Sequence, residues 1–137
     1  MTSDEKEARE EVTSDEARTS GYKDLLVWQK GIVLVKQIYS LTQTFPPEER
    51  YGLASQMRRA AVSVPSNIAE GQARHTTQEF IQFVSHAEGS VAELDTQLII
   101  AIELGYCRNG KAESTLQLVS ELRKMLNALR RTLATRR

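Results

Sequence analysis

Residues 76–103 read TTQEFIQFVSHAEGSVAELDTQLIIAIE. Phe80, Val84, Ala87, Val91, Leu94, Leu98 and Ala101 recur there at alternating fours and threes, the spacing that puts apolar side chains on one face of an α-helix. Thr76 followed three residues later by Glu79 forms a capping-box pattern, a helix start. Leu104-Gly105-Tyr106 reads as a stop, with Gly105 placed to adopt a left-handed conformation. The spacing predicts a helix over about 76–104, some 40 Å long at ~1.5 Å per residue.

Toward the N-terminus the same period continues. Leu25, Trp28, Ile32, Val35, Tyr39 and Thr42 form a stripe that predicts a first helix over about 23–44, with Leu34, Ile38 and Leu41 as a second stripe beside it. That apolar arc is wider than one packing partner requires. Phe45-Pro46-Pro47 ends the helix, because the residue before a proline is pushed out of the α region. Pro47, Glu48 and Glu49 suit the first turn of a second helix, with Ala54, Met57, Ala61, Val64 and Ile68 as its core stripe. A kink is expected at Pro65, eased by Ser63 and Ser66, and Gly71 is expected to close the helix or its last turn. Beyond the quoted stretch, Asn109-Gly110 is the expected turn. Leu118, Leu122, Met125 and Leu129, with Leu126 and Leu133, predict a fourth helix over about 111–134. Four helices with short connections predict an all-α, up-down-up-down antiparallel four-helix bundle.

Composition narrows the function. The 137 residues hold 18 Lys plus Arg and 18 Asp plus Glu, so net charge is zero, but residues 1–20 carry seven of the acids and three of the bases. That acidic segment has Val12 as its one large apolar side chain and is expected to be a mobile tail, leaving plus four on a bundle domain over 21–137. The single cysteine, Cys107, excludes an internal disulfide and cysteine-rich zinc modules. No signal peptide or membrane span is expected, so the cytoplasm is the expected location.

Catalytic motifs are not found. His75 and His86 lie eleven residues apart rather than at the i, i+4 spacing of a helical metal pair, so His75 is expected at the surface and His86 packed between helices. Neither phosphate-cradling glycine string occurs, and Glu88, Glu93, Asp95 and Glu103 lack the Glu-x-x-His context of a di-metal bundle. No enzyme activity, cofactor, metal or small-molecule substrate is expected. Arg59, Asn67, Glu70, Glu93 and Gln97 are the candidates for a polar network between helices or between subunits. Arg58, Arg59, Arg74, Arg123, Lys124, Arg130 and Arg131 are the candidates for a phosphate-binding surface that would contact RNA or DNA.

The second helix also carries Arg50-Tyr51-Gly52-Leu53 and then Gln56 to Gly71 as QMRRAAVSVPSNIAEG. With Tyr22-Lys23-Asp24-Leu25, Val27-Trp28-Gln29-Lys30, Glu79-Phe80, Phe83, Ser90 to Leu98 and Leu104-Gly105-Tyr106, this resembles the four helix bundle family of 23S rRNA intervening-sequence proteins, over residues 22 to about 133. The resemblance implies an antiparallel bundle that assembles as a homopentameric ring in the bacterial cytoplasm, with no established enzyme activity. It extends to a related branch, the accessory variability determinant proteins of diversity-generating retroelements, which bind nucleic acid and a reverse transcriptase. This chain departs from that branch in lacking its strong positive charge. The expected function is a homo-oligomeric scaffold associated with nucleic acid, with a protein-interaction module that binds no nucleic acid as the alternative.

Overall fold

The computed structural model describes residues 21–136; the acidic segment 1–20 lies outside them. Four α-helices follow one another: α1 Leu26–Thr42, α2 Leu53–Gln72, α3 Thr77–Glu103 and α4 Asn109–Ala134. Single 3-10 turns precede α1, at Tyr22–Asp24, and α2, at Pro47–Glu49. No strand occurs among the described residues.

Side-chain pairs fix the directions. Gly31 of α1 faces Pro65 of α2, whereas Thr42, at the end of α1, accepts a bond from Arg58, near the start of α2, so the two run antiparallel. Ser63 meets Ser90 while Gly71 meets Phe80, which reverses α3 against α2. Lys30 pairs with Glu121 and Gln37 with Thr115, which sets α4 antiparallel to α1. The topology is up-down-up-down. α2 packs on α1 and α3, and α4 on α3 and α1, so α2 and α4 are diagonal.

α3 matches its periodicity closely, with all seven stripe residues buried. Its cap is a variant of the expected box: the Glu79 N–H donates to Thr76 Oγ1 at 3.1 Å, and the Thr76 hydroxyl donates to Glu79 Oε1 at 2.9 Å.

α1 shows which of its two apolar stripes faces the core. The second stripe, Leu34, Ile38 and Leu41, faces the core together with Val27 and Gly31. Of the first stripe only the ends, Leu25 and Thr42, are buried; Ile32 and Tyr39 are exposed, and Trp28 and Val35 are half-buried. The reason is the contact between Gly31 and Pro65, where an added Cβ would lie 3.2 Å from Pro65 Cβ. A side chain at position 31 would make the ring give by a few tenths of an ångström, so glycine suits this approach, and with position 31 facing α2 the larger stripe lies outward.

Two smaller expectations change. Pro47–Glu49 is a separate turn, and α2 starts at Leu53, where Glu49 Oε1 accepts the Leu53 N–H at 3.1 Å. α2 stays helical through Pro65 and ends at Gln72, so Gly71 stands in its last turn as expected, where a Cβ would lie 2.7 Å from Phe83 Cβ and 2.9 Å from Phe80 Cδ1. Asn109-Gly110 opens α4, because Gly105, at φ +77°, has already turned the chain, with the Tyr106 N–H bonded to Ala101 O at 2.9 Å.

Candidate functional site

Small inward residues let α2 sit deep between its neighbours, and its outer side forms the floor of an open groove of about 1070 Å³. Tyr39 and Arg58 stand at one edge, Tyr51 and Arg50 at one end, and Glu93 of α3 at the other edge. Arg58 is held firmly: its Nε donates to Thr42 Oγ1 at 2.8 Å, and its guanidinium lies 4.5 Å from the Tyr39 ring centroid. Arg50 lies 5.6 Å from the centroid of Tyr51, which is 88% exposed. Arg59, Ser66 and Glu70 project from the floor and are exposed.

The expected polar network does not close within the subunit. Asn67 Nδ2 donates to Ser63 O of its own helix at 2.7 Å, and Gln97 Nε2 donates to Glu93 Oε2 of its own helix at 3.0 Å. Arg59 and Glu70 face solvent, and the bond that crosses between α2 and α3 runs instead between Ser63 and Ser90. The reason is burial. A shared helix interface would have to bury all five candidates, but Gln97 alone is buried, and its Oε1 has no hydrogen-bond partner among the described residues.

The basic candidates separate in the same way. Arg58 and Arg59 lie on α2, whereas Arg123, Lys124, Arg130 and Arg131 lie on the diagonal helix, so one subunit does not join them into a single surface. Arg74, after α2, rests 4.8 Å from the Phe83 ring centroid. Arg130 is engaged, with Nε donating to Glu88 Oε1 at 2.6 Å and a second nitrogen to Asn127 Oδ1 at 2.7 Å. Arg123, Lys124 and Arg131 are exposed on the outer side of α4. No acidic residue follows Glu121, and Glu121 itself is paired with Lys30.

His75 and His86 are both exposed, His86 lying edge-on to Phe83 at 5.9 Å rather than between helices. Position 86 falls beside the α3 core stripe, not within it. Burial pushes the Cys107 thiol above its usual pKa, which keeps it protonated and a weak nucleophile. Among the described residues no group of three His, Cys, Asp or Glu side chains could hold a metal ion, and no helix is long and apolar enough to cross a membrane. In the sequence Tyr106 is read as part of the Leu104-Gly105-Tyr106 stop and not as a contact residue. Its hydroxyl donates to Glu49 Oε2 at 2.9 Å, 57 positions away, and that bond, more than partial desolvation and the nearby acids, raises the phenol above its usual range.

This fold and its helix-two motif coincide with a known family. The model described as 23S rRNA-intervening sequence protein matches residues 23–128. The chain belongs to that family. A solved structure of similar shape is a protein with unknown function from the S23 ribosomal protein family of Bacteroides thetaiotaomicron VPI-5482. It is 22% identical, with a TM-score of 0.69, over 74% of this chain and 94% of that one, a likeness of fold. No curated protein matches the chain. Within the 23S rRNA-intervening sequence family, both the α2 groove and the outer side of α4 fall largely inside the matched region, and Arg131 lies just beyond it.

Proposed function

We propose that this family member is a non-enzymatic, self-assembling scaffold of the bacterial cytoplasm, a ring of identical bundles with five copies as the family resemblance implies. The observation that carries the reading is the outward apolar strip on α1. Ile32 and Tyr39 are 37% and 41% exposed, with Trp28 and Val35 half-buried beside them. Val62 of α2, 40% exposed, falls between the Gly31–Pro65 and Tyr39–Arg58 contacts and extends the strip across the helix seam. Other exposed apolar side chains stand apart at Val33 and, on α3 and its end, at Ile99, Ile100 and Leu104, whereas those that adjoin one another mark an interaction surface. The polar groups of α2 that find no partner on another helix lie next to it, where a neighbouring copy would satisfy them. Sedimentation of the intact protein is expected to give an assembly, and the double variant Ile32→Asp, Val62→Asp is expected to give a folded monomer. A monomeric wild-type protein, or a variant that sediments unchanged while retaining its helical circular dichroism, overturns the reading.

A second reading rests on α4. Arg123, Lys124 and Arg131 present an outer face suited to phosphate contact, and assembly would repeat that face around a ring. Anisotropy with a structured RNA should show binding that weakens steeply with salt. Replacing the three side chains with Gln should reduce the slope of log affinity against log salt by roughly one for each phosphate no longer neutralised. Binding no stronger than that of an uncharged control protein would leave the protein-interaction module in its place.

A further inference from the structure

We propose that the acidic N-terminal segment of this chain docks on the basic outer face of its own α4. Three observations meet there. The first is charge: residues 1–20 hold seven acids and three bases, whereas Arg123, Lys124 and Arg131 are exposed, and no acid follows Glu121. Two acids on its flanks are engaged, Glu121 by Lys30 and Glu88 by Arg130; Asp95, seven residues after Glu88 on α3, is half-buried, and the exposed Glu113 of α4 lies about 15 Å along the helix before Arg123. The α2 groove is a poorer receptor, since Glu70 and Glu93 stand among its arginines.

The second observation is where the segment joins the bundle. The Lys30–Glu121 and Gln37–Thr115 pairs set the register between α1 and α4. Carried back to Leu26, where α1 begins, it reaches the level of Met125 and Leu126, and the 3-10 turn before it, Tyr22–Asp24, packs on α1 and α2. The acidic segment therefore enters at the end of the bundle where the bases of α4 lie, not at the end carrying Lys111.

The third is reach. Asp15 and Glu16 precede Gly21 by so few residues that their tether spans at most about 22 Å at ~3.6 Å per residue. That equals roughly two interhelical spacings of ~8–10 Å, enough to pass from the turn on α1 and α2, around α1, to α4. Glu10 and Glu11 follow with slack sufficient to meet Lys124, about 10 Å along α4 from Arg131 at ~1.5 Å per residue. Docked there, the segment occupies the face assigned above to nucleic acid and competes with it. That consequence rests on the second reading of function; the docking does not.

Zero-length carbodiimide cross-linking of the full chain, read by peptide mass spectrometry, tests the docking without any nucleic acid. Carboxylates of residues 10–16 should couple to Lys124 in preference to Lys36 and Lys111, which are equally exposed on other parts of the bundle. The product should have the mass of one subunit. It should disappear in about 1 M salt, where the Debye length falls to about 3 Å. The variant Arg123→Gln, Arg131→Gln keeps the reactive lysine and should lose the preference. Coupling spread evenly over the three lysines, coupling insensitive to salt, or a product of twice the subunit mass overturns the proposal. Deleting residues 1–20 should in addition strengthen RNA binding severalfold. If the cross-link forms while neither form of the chain binds RNA, the nucleic-acid reading fails and the docking stands.

Discussion

The diagonal helices α2 and α4 are built on opposite plans. α2 turns small residues inward, Ala54, Ala60, Ala61 and Gly71, and approaches its neighbours closely enough for Gly31 to meet Pro65 and Gly71 to meet two phenylalanines. α4 turns Leu122, Leu126, Leu129 and Leu133 inward, and bulk sets its distance. The flanks differ too: α4 is tied to α1 and α3 by Glu121 with Lys30, Thr115 with Gln37 and Arg130 with Glu88. The outer faces follow from this. Charges on the flanks of α4 are consumed by neighbouring helices, leaving an outer line that is basic beyond Glu121, whereas α2 keeps charges of both signs in a groove. A residue's place around its helix, more than its type, decides whether an arginine is structural or available.

The largest effect should come from removing bulk on the α4 side. Leu126→Ala is expected to cost about 2–5 kcal/mol in urea unfolding, because a fully buried leucine leaves a cavity that its neighbours fill incompletely. On the α2 side the corresponding failure is added volume. Gly71→Ala should cost about 1–3 kcal/mol, since the new methyl meets Phe83 Cβ and Phe80 Cδ1 inside contact distance. An α4 leucine that tolerates truncation, or a Gly71 that tolerates a methyl group, would erase the distinction between bulk-set and contact-set packing.

Smaller changes sharpen the comparison at the flanks. Arg130→Gln should lower stability by about 0.2–1 kcal/mol, the range for partly exposed ion pairs, and by less at high salt. A salt-independent loss would mean that the stem of Arg130, not its charge, holds α4 to α3. The smallest effect concerns Tyr106 at the opposite end. Its folded-state pKa lies above its unfolded value, so the contribution is fully present below about pH 10 and is lost as pH rises through the raised value. Thermal melts should therefore show the wild type losing more stability than Tyr106→Phe above pH 10, with parallel behaviour at pH 7–9. Identical curves throughout would show that the bond to Glu49 contributes nothing.

Much of the fold is legible in the residues alone because helical periodicity and caps are local. The α3 stripe, the Thr76 start and the Gly105 stop depend on neighbours within a few positions, and each appears where expected. α1 shows the limit. It offers two apolar stripes, and nothing local distinguishes the one that faces the core; Gly31 decides, through a proline on another helix. The candidate surfaces are the least legible for the same reason. Arg58, Arg59, Arg123, Lys124, Arg130 and Arg131 are alike as residues, and what each of them meets depends on other helices.

By itself, then, the sequence determined the helices, their approximate ends, the all-α class and the division between an acidic beginning and a basic remainder, because propensity, spacing and charge count act within a chain segment. Tertiary structure alone decided which side of α1 is left uncovered, that Arg58 and Arg130 are bound within the subunit, and that the two groups of arginines stand on diagonal helices. Those outcomes depend on close approach and on pairs tens of residues apart, such as Gly31 with Pro65 and Lys30 with Glu121, which exist only once the helices have packed.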